Sequence, residues 1–473
     1  MRKNLMKKTA AVLSALTALS AMPCTAASAA ENNLFPYAMF AASDAEGAIT
    51  INSNWLTMNG SIASNGTIVT NGYANFNGAK TENAGEDMLF IGDKVTDTYF
   101  SNAETVDYLD ISDVNVFIGS PVDVAGDAVL NGNVNIASSI KADYDITITG
   151  NVNNTSNAVI FSEFGDIVID SDNVNFSGIL YAPLGNVEIT GSNVNLNNAV
   201  IIADTITINS YNTNANYGYS YAKFAGTESE SRAEYIKKYN TSLMEKTIST
   251  TLDTFSQYYT LTPVDTGDFS HVNIMNMIEF DIQQYDVEGI GNLSIMKAEG
   301  MAQMTTYVLS PYDKDLPLLS VDYMYNGDQR VSYVEYYDLT ADKYSDEYQG
   351  LLNSFSGLYD TYQGLADTQP SAAWYDDLRT VGLFKTSDFR ADDITSQMLF
   401  DSIQLTLEGA QNLHDLNAEE KAIKFDLVQG YADNLIDMGG IATNMFKMAM
   451  GADATREFFN SVFFGTYRNQ PAE

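Results

Sequence analysis

The chain has 473 residues, a net charge of −37 at pH 7 and one cysteine, Cys24. A single cysteine excludes intramolecular disulfides, thiolate metal sites and iron–sulfur clusters. The strongly acidic balance disfavours nucleic acid and anionic membrane surfaces as partners. Hydrophobic residues still make up 45% of the chain, so we expect folded domains whose charge lies on a solvated surface.

The first 29 residues have the order of a secretory signal peptide. Four basic residues precede an apolar run at 10–21, and Ala27-Ser28-Ala29 then offers a small-x-small cleavage site. The apolar run is too short to span about 30 Å of hydrocarbon, so we expect no integral membrane segment. The sequence therefore predicts a secreted or cell-surface protein whose mature chain has lost Cys24.

The next part of the chain is repetitive. Asn-x-Asn triplets start 18, 22 and 20 residues apart, at Asn133, Asn151, Asn173 and Asn193. Short alternating stretches such as Ile146-Thr147-Ile148 lie between turns rich in Gly, Asn and Asp. A period near twenty with about three short strands per unit is typical of a parallel β-helix. We place this β-solenoid at 30–225, with an insertion or irregular coil at 81–113.

The composition of the β-helix favours a scaffold or adhesive surface over an enzyme. Residues 31–231 contain no Arg or His, and their bases are Lys80, Lys94, Lys141 and Lys223. A polysaccharide lyase needs a strong base and a cationic group that neutralises the uronate carboxylate. This domain has few basic residues that could fill either role. A cell-surface or glycan partner remains open for this domain, because a fold does not fix a function.

A polar stretch at 226–231 predicts a linker, and a second domain follows at 232–468. Its pattern predicts a meander of antiparallel strands at 277–287, 292–297, 303–310, 318–325 and 330–339. Helical patterns then cover 348–367, 394–413, 418–437 and 441–450, and an earlier helix runs through Tyr235 and Leu243. Strands followed by helices predict an α+β domain with helices packed on the sheet.

Several segments of this domain resemble the ferredoxin-dependent bilin reductases. Leu309-Ser310-Pro311, a short loop and Leu316-Pro317 leading to Asp322 follow that family's strand–loop–strand pattern. The segments 335–339 and 450–464 are similar to its acidic-aromatic segment and to its closing helix. The resemblance covers nearly the whole domain.

The resemblance implies an α/β/α sandwich that binds a linear tetrapyrrole between the sheet and the C-terminal helices. It implies no tightly bound cofactor and no metal; single electrons come from an external donor, and side chains supply protons. Asp322 falls at the position of the central proton donor, and we assign Ser320, Met324, Thr306 and Met304 to the substrate pocket. Where the family has a second acid, this chain has Ser294.

Other catalytic arrangements have little support. His271 and His414 are the two histidines, neither has a ligand partner nearby in sequence, and a nucleophile elbow is absent. Three functions stay open for the second domain: reduction of a tetrapyrrole, binding of a pigment without turnover, and a non-catalytic surface adhesin with a degenerate reductase-like fold. The sequence favours a tetrapyrrole-linked function.

Overall fold

The computed structural model describes residues 37–154, 157–217 and 229–471. The signal peptide predicted at 1–29 and residues 226–228 of the predicted linker lie outside this part of the chain. By their internal contacts the described residues divide into two compact units, one up to Tyr235 and one from Ile236 onward, and we describe each by itself.

The first unit is a β-solenoid of about eight turns with a period of about 20 residues, as predicted. Its strands pair in parallel through the stack. The strands are β1 Met39–Ala41, β2 Ile49–Asn59, β3 Ile62–Ser64, β4 Ile68–Asn77, β5 Lys80–Thr81, β6 Glu104–Val106, β7 Leu109–Ile118, β8 Val122–Val124, β9 Ala128–Ile136, β10 Ile140–Ala142, β11 Ile146–Thr149, β12 Val152–Asn154, β13 Ala158–Ser162, β14 Ile167–Asp170 and the long β15 Asn173–Tyr217.

The core of the solenoid is a set of stacked columns of aliphatic side chains. Val134, Val152, Val174 and Val194 form one such column, and each is at most 1% exposed. Burying each of these valines stabilises the stack by about 1.5–3 kcal/mol. The Asn residues on either side of each Val point outward, because successive side chains of a strand alternate between its two faces.

The coils do not stack in the order of the chain. β1 and β2 pair with the last coil, at Met39↔Ile201 and Ile49↔Ile206, and β3 and β4 then pair outward on β1 and β2. β6 and β7 lie at the opposite end, where they pair with β8 and β9. The interval predicted as an insertion or irregular coil, 81–113, thus includes the passage from one end of the stack to the other, with helix α1, Gly92–Tyr99.

The second unit is built on one antiparallel sheet. Its strands are β16 Leu261–Val264, β17 His271–Ile274, β18 Ile278–Val287, β19 Gly291–Gly300, β20 Gln303–Pro311, β21 Leu318–Asn326, β22 Gln329–Tyr337, β23 Ala366–Asp367 and β24 Arg379–Asp388. The order across the sheet is β16-β18-β19-β20-β21-β22-β24-β23, with β17 also on β18. Gly327, with φ 58°, supplies the left-handed residue of the tight turn between β21 and β22.

Helices cover both faces of the sheet, which confirms the predicted α/β/α sandwich. They are α2 Arg232–Tyr258, α3 Asp346–Thr361, α4 Asp392–Asn412, α5 Ala418–Met438, α6 Ile441–Met450 and α7 Ala452–Phe458. On one face, Tyr336 of β22 stacks on Phe355 of α3 at 4.0 Å and donates a hydrogen bond to the Ser402 carbonyl of α4. On the other, Phe280 of β18 packs against Phe446 of α6.

Several elements of this unit differ from the sequence prediction, and β16 and β17 were not predicted. The helix predicted to reach Asp367 ends at Thr361, and Ala366–Asp367 instead form β23. The strand Arg379–Asp388 was not predicted, although it pairs with β22 along nearly its whole length. Gly382 in the middle of β24 weakens the strand signal of its sequence.

Candidate functional site

Asp322 lies near the middle of β21, in the interior of the sheet. Ser320 and Met324 are its neighbours on the same face, and all three side chains are half-buried. The register places Thr306 of β20 opposite Asp322 and Met304 opposite Met324. The structure therefore brings together the five residues that the sequence analysis assigned to the pocket.

Thr306 and Asp322 share a short hydrogen bond. The buried hydroxyl of Thr306 donates to Oδ1 of Asp322 over 2.5 Å. Burial raises the pKa of Asp322 to about 6; the Thr306 hydrogen bond opposes this shift, and the charge of Glu335 adds to it. A carboxyl group with this pKa can hold or release a proton near neutrality.

The sheet face around Asp322 is partly open. Helices α5 to α7 pack over the part of this face formed by β17–β20, where Phe280, Ile282 and Met296 are buried. Toward β21, β22 and β24 the side chains become half-buried, and this strip comprises Met304, Ser320, Asp322, Met324, Val331, Tyr333 and Phe384. We call it the Asp322 strip. It combines methionine and aromatic surface with one carboxyl group.

A second carboxylate lies close to Asp322 and is paired with an arginine. Glu335 of β22 is opposite Ser320 in the register and is 7% exposed. Nε of Arg379 donates to its Oε1 over 2.7 Å, and Nη2 of Arg379 donates to Asp376 over 3.0 Å. The pair holds Glu335 in place, while Asp322 has Thr306 as its partner and no cation within 4 Å among the described residues.

Four aromatic side chains form a cluster beside these acids. In five of the six pairs among Tyr337, Trp374, Tyr375 and Tyr431, the ring centroids lie between 5.3 and 6.1 Å apart. Burial raises the pKa of Tyr375, and the charges of Glu335 and then Asp322 add to the shift, which places this ring within electrostatic reach of both acids. Such rings offer flat apolar surface with polar tips.

Most of this cluster was not predicted from the sequence. Trp374 and Tyr375 lie in a segment without regular alternation, and their indole and phenol rings reach the site through the loop before β24. The indole N–H of Trp374 donates to the carbonyl of Gly439 over 3.0 Å, which joins the loop to the end of α5. Glu335 was named in the sequence analysis as part of an acidic-aromatic segment, but Arg379 was not.

Ser294, at the position of the second acid implied by the resemblance, has a different role. Its hydroxyl is buried and donates to the carbonyl of Val462 over 2.6 Å. Asn292, two residues earlier, donates to the same carbonyl over 3.1 Å. These contacts anchor the C-terminal segment to the sheet and leave Ser294 without a free proton to transfer.

Two concavities of this unit lie away from the Asp322 strip. One, of about 450 Å³, lies between α2 and strands β18 and β19 and is lined by Glu245, Asp281 and Lys297 among others. The other, of about 280 Å³, lies beside Tyr312 and Lys421. Neither concavity is lined by a residue of the Asp322 strip.

Within the described residues, no three His, Cys, Asp or Glu side chains are grouped so that they could hold a metal ion. In the same residues, no helix is long and apolar enough to cross a membrane.

Comparisons with known proteins give similarities of fold at low identity. No family model matches the chain, and no curated protein matches it. Among solved structures, the chain is similar to phytochromobilin synthase from tomato in complex with biliverdin, with a TM-score of 0.41 and 13% identity over 48% of this chain and 85% of that one. It is also similar to an ice-binding protein from an Antarctic biological consortium, with a TM-score of 0.26 and 15% identity over 40% of this chain and 94% of that one. At these scores neither similarity supports a function.

Proposed function

We propose that the second domain binds a linear tetrapyrrole on the Asp322 strip and that Asp322 protonates it. The observation that carries the proposal is the setting of Asp322, a half-buried carboxyl group with a pKa of about 6 among the methionine and aromatic side chains of a partly open sheet face. The resemblance of 309–322 to the bilin reductases is its second support.

The surroundings of Asp322 suit a large, flat, conjugated ligand. Met304 and Met324 offer adaptable apolar contacts, and Tyr333 and Phe384 pack edge to face with ring centroids 5.3 Å apart. A tetrapyrrole is mostly apolar and carries a few pyrrole nitrogens and carbonyl oxygens. Area burial therefore supplies most of the affinity, and one carboxyl group orients the ligand through its nitrogens.

The chemical step is a proton transfer coupled to electrons from outside. Reduction of one carbon–carbon double bond takes up two electrons and two protons. An external one-electron donor supplies the electrons in two steps, Asp322 delivers one proton, and solvent supplies the other and then reprotonates Asp322. Thr306 positions the carboxyl group through its hydrogen bond.

Binding without turnover is the second candidate, and Ser294 favours it. The place of a second acid is taken by a hydroxyl that is already committed to the Val462 carbonyl. A site with one proton donor holds a pigment as well as a site with two, but it has fewer ways to complete a reduction.

Asp322→Asn separates these candidates. Asn keeps the shape and an oxygen that accepts from Thr306 but has no transferable proton. We expect the variant to bind biliverdin, to alter the visible band of the bound pigment and to lose at least about 100-fold in the rate of reduction by reduced methyl viologen. Asp426→Asn, an exposed carboxylate on α5, is the matched control. Equal rates for wild type and Asp322→Asn would show that Asp322 is not the donor, and binding with no reduction by wild type would favour the second candidate.

A further inference from the structure

The solenoid carries an unusual pair of exposed aromatic side chains. Trp55 of β2 is 56% exposed and Tyr73 of β4 is 65% exposed. They are partners in the strand register, and their ring centroids lie 5.5 Å apart with a tilt of 54° between the planes. Large apolar side chains placed together in solvent mark an interaction surface, because a monomeric fold gains nothing from exposing them.

A ladder of asparagine amides leads directly to this pair. Side-chain hydrogen bonds of 3.0, 3.4, 3.0 and 3.0 Å join successive coils through Asn133, Asn151, Asn173, Asn193 and Asn212. The next position in the same column, opposite Asn212, is Trp55, and the one after it is Tyr73. The column thus changes from amides to aromatic rings across the boundary where the first coils of the chain stack on the last coil.

The ladder leaves hydrogen-bonding capacity facing solvent. An asparagine amide has two N–H donors and two acceptor lone pairs. Within the ladder, one N–H donor and one acceptor lone pair are used by each of Asn151, Asn173 and Asn193. Each amide therefore keeps one N–H donor and one acceptor lone pair for a ligand. The internal bonds also fix the rotamers, which lowers the entropy lost on binding.

The composition of the solenoid disfavours an anionic partner. Residues 31–231 have four lysines and neither Arg nor His, so an anionic polymer finds few counter-charges and many repelling carboxylates. An uncharged polymer with many hydroxyl groups and some apolar surface can bind both parts of the column, the asparagine amides and the aromatic pair. We infer that this column binds a neutral polysaccharide, with pyranose rings packed on Trp55 and Tyr73 and hydroxyl groups bonded to the asparagine amides.

The tilt between the two rings narrows the class of ligand. Rings inclined by 54° form a shallow V and not a flat platform. Successive pyranose rings of a single solvated chain can rotate about their linkage to follow this V, whereas the flat face of a polysaccharide crystal cannot. The site therefore takes individual chains with apolar ring faces, such as those of β-linked glucans.

Affinity electrophoresis of the full chain tests the inference. Hydroxyethyl cellulose in the gel should retard the wild type, and carboxymethyl cellulose, which has the same backbone with added carboxylates, should retard it far less. Trp55→Ala should weaken the interaction about tenfold and Tyr73→Ala by a similar factor, since stacked aromatic anchors dominate such contacts. Tyr108→Ala, a tyrosine of the solenoid that is 55% exposed and lies outside the column, is the matched control and should behave as wild type.

Three results of the electrophoresis would overturn the inference. They are an unretarded wild type, equal retardation of wild type and both aromatic variants, and equal retardation by the neutral and the charged cellulose. Sedimentation velocity of wild type and Trp55→Ala tests whether the aromatic pair instead binds a second copy of the chain. If wild type is a dimer and Trp55→Ala is a monomer, the aromatic pair binds a second copy of the chain and the polysaccharide assignment is wrong.

Discussion

Asp322 is poised between two opposing effects. Burial disfavours its charged form, and the hydrogen bond from Thr306 favours it. With a pKa of about 6, roughly a tenth of the molecules hold the proton at pH 7. Proton delivery to a bound ligand should therefore slow as the pH rises above 6.

The same shift makes a prediction for stability. The unfolded carboxyl ionises near pH 3.9 and the folded one near 6, so wild type loses stability as the pH rises from 4 to 6 and then stays at the lower level. Asp322→Asn removes this penalty. We expect the variant to match the wild type in unfolding free energy at pH 4. At pH 8 it should be more stable than the wild type by about 1–2 kcal/mol, after allowing for the partial exposure of Asp322, and should melt at a higher temperature.

Thermal melts of both proteins at several pH values measure this difference. Asp426→Asn should stay within about 0.5 kcal/mol of wild type throughout. A constant difference between Asp322→Asn and wild type from pH 4 to 8 would contradict the raised pKa.

At the scale of elements, one buried ion pair ties the end of the sheet to its helices. Arg330 of β22 is 1% exposed and donates to both oxygens of Asp392 in α4, over 2.7 and 2.8 Å. It also donates to Asn240 of α2 over 2.9 Å and to the Gly327 carbonyl over 2.8 Å. Its charge is thus compensated, and its donors link two helices to the β21–β22 turn.

Breaking this pair from one side should be more damaging than removing it whole. Arg330→Met leaves Asp392 buried without its cation, and we expect a loss of about 3–5 kcal/mol. Arg330→Met combined with Asp392→Leu should recover part of this loss, because no uncompensated charge remains. Urea unfolding of the three proteins gives the comparison, and a double variant less stable than Arg330→Met would contradict the account.

The elements also show where sequence reasoning succeeds and where it stops. β18 and β21 alternate between buried and more exposed positions, whereas β19 and β20 are buried along most of their length. The four strands predicted within 277–325 are confirmed to within a few residues. β24 escapes notice because Gly382 interrupts its pattern. Glu335 and Arg379 are 44 residues apart in the sequence and come into contact because β24 pairs with β22. Since β24 was not predicted, this contact could not be predicted either.

The solenoid illustrates the same limit. Its period of about 20 residues is a local property that can be read from the spacing of the Asn-x-Asn triplets. Where the first coils stack on the last coil, side chains that are 157 residues apart in the sequence form hydrogen bonds. Because the repeats are equally spaced, their spacing does not determine the order in which the coils stack. The column that joins Asn212 to Trp55 could therefore not be predicted.

At the scale of the whole molecule, each unit has its own hydrophobic core. Val174 lies at 0% exposure inside the solenoid core. Val174→Asp places an unpaired carboxylate there, which costs several kcal/mol, and we expect it to unfold the solenoid while the second unit keeps its melting transition.

Differential scanning calorimetry and circular dichroism of the full chain test this independence. Val114→Asp makes the same replacement at a side chain that is 73% exposed and should leave both transitions in place. A single transition that Val174→Asp shifts as a whole would mean that the two units unfold together.

The central claim is that the Asp322 strip binds a linear tetrapyrrole, and an absorption titration tests it most directly. Biliverdin is added stepwise to purified full-length protein, to Val174→Asp and to buffer alone. The visible absorption band of biliverdin is then compared among the three samples. We predict a saturable band shift with a Kd of about 10 μM or tighter, which corresponds to about −7 kcal/mol, and the same shift in Val174→Asp because its second unit stays folded. A spectrum of biliverdin unchanged by about 100 μM protein would contradict the account.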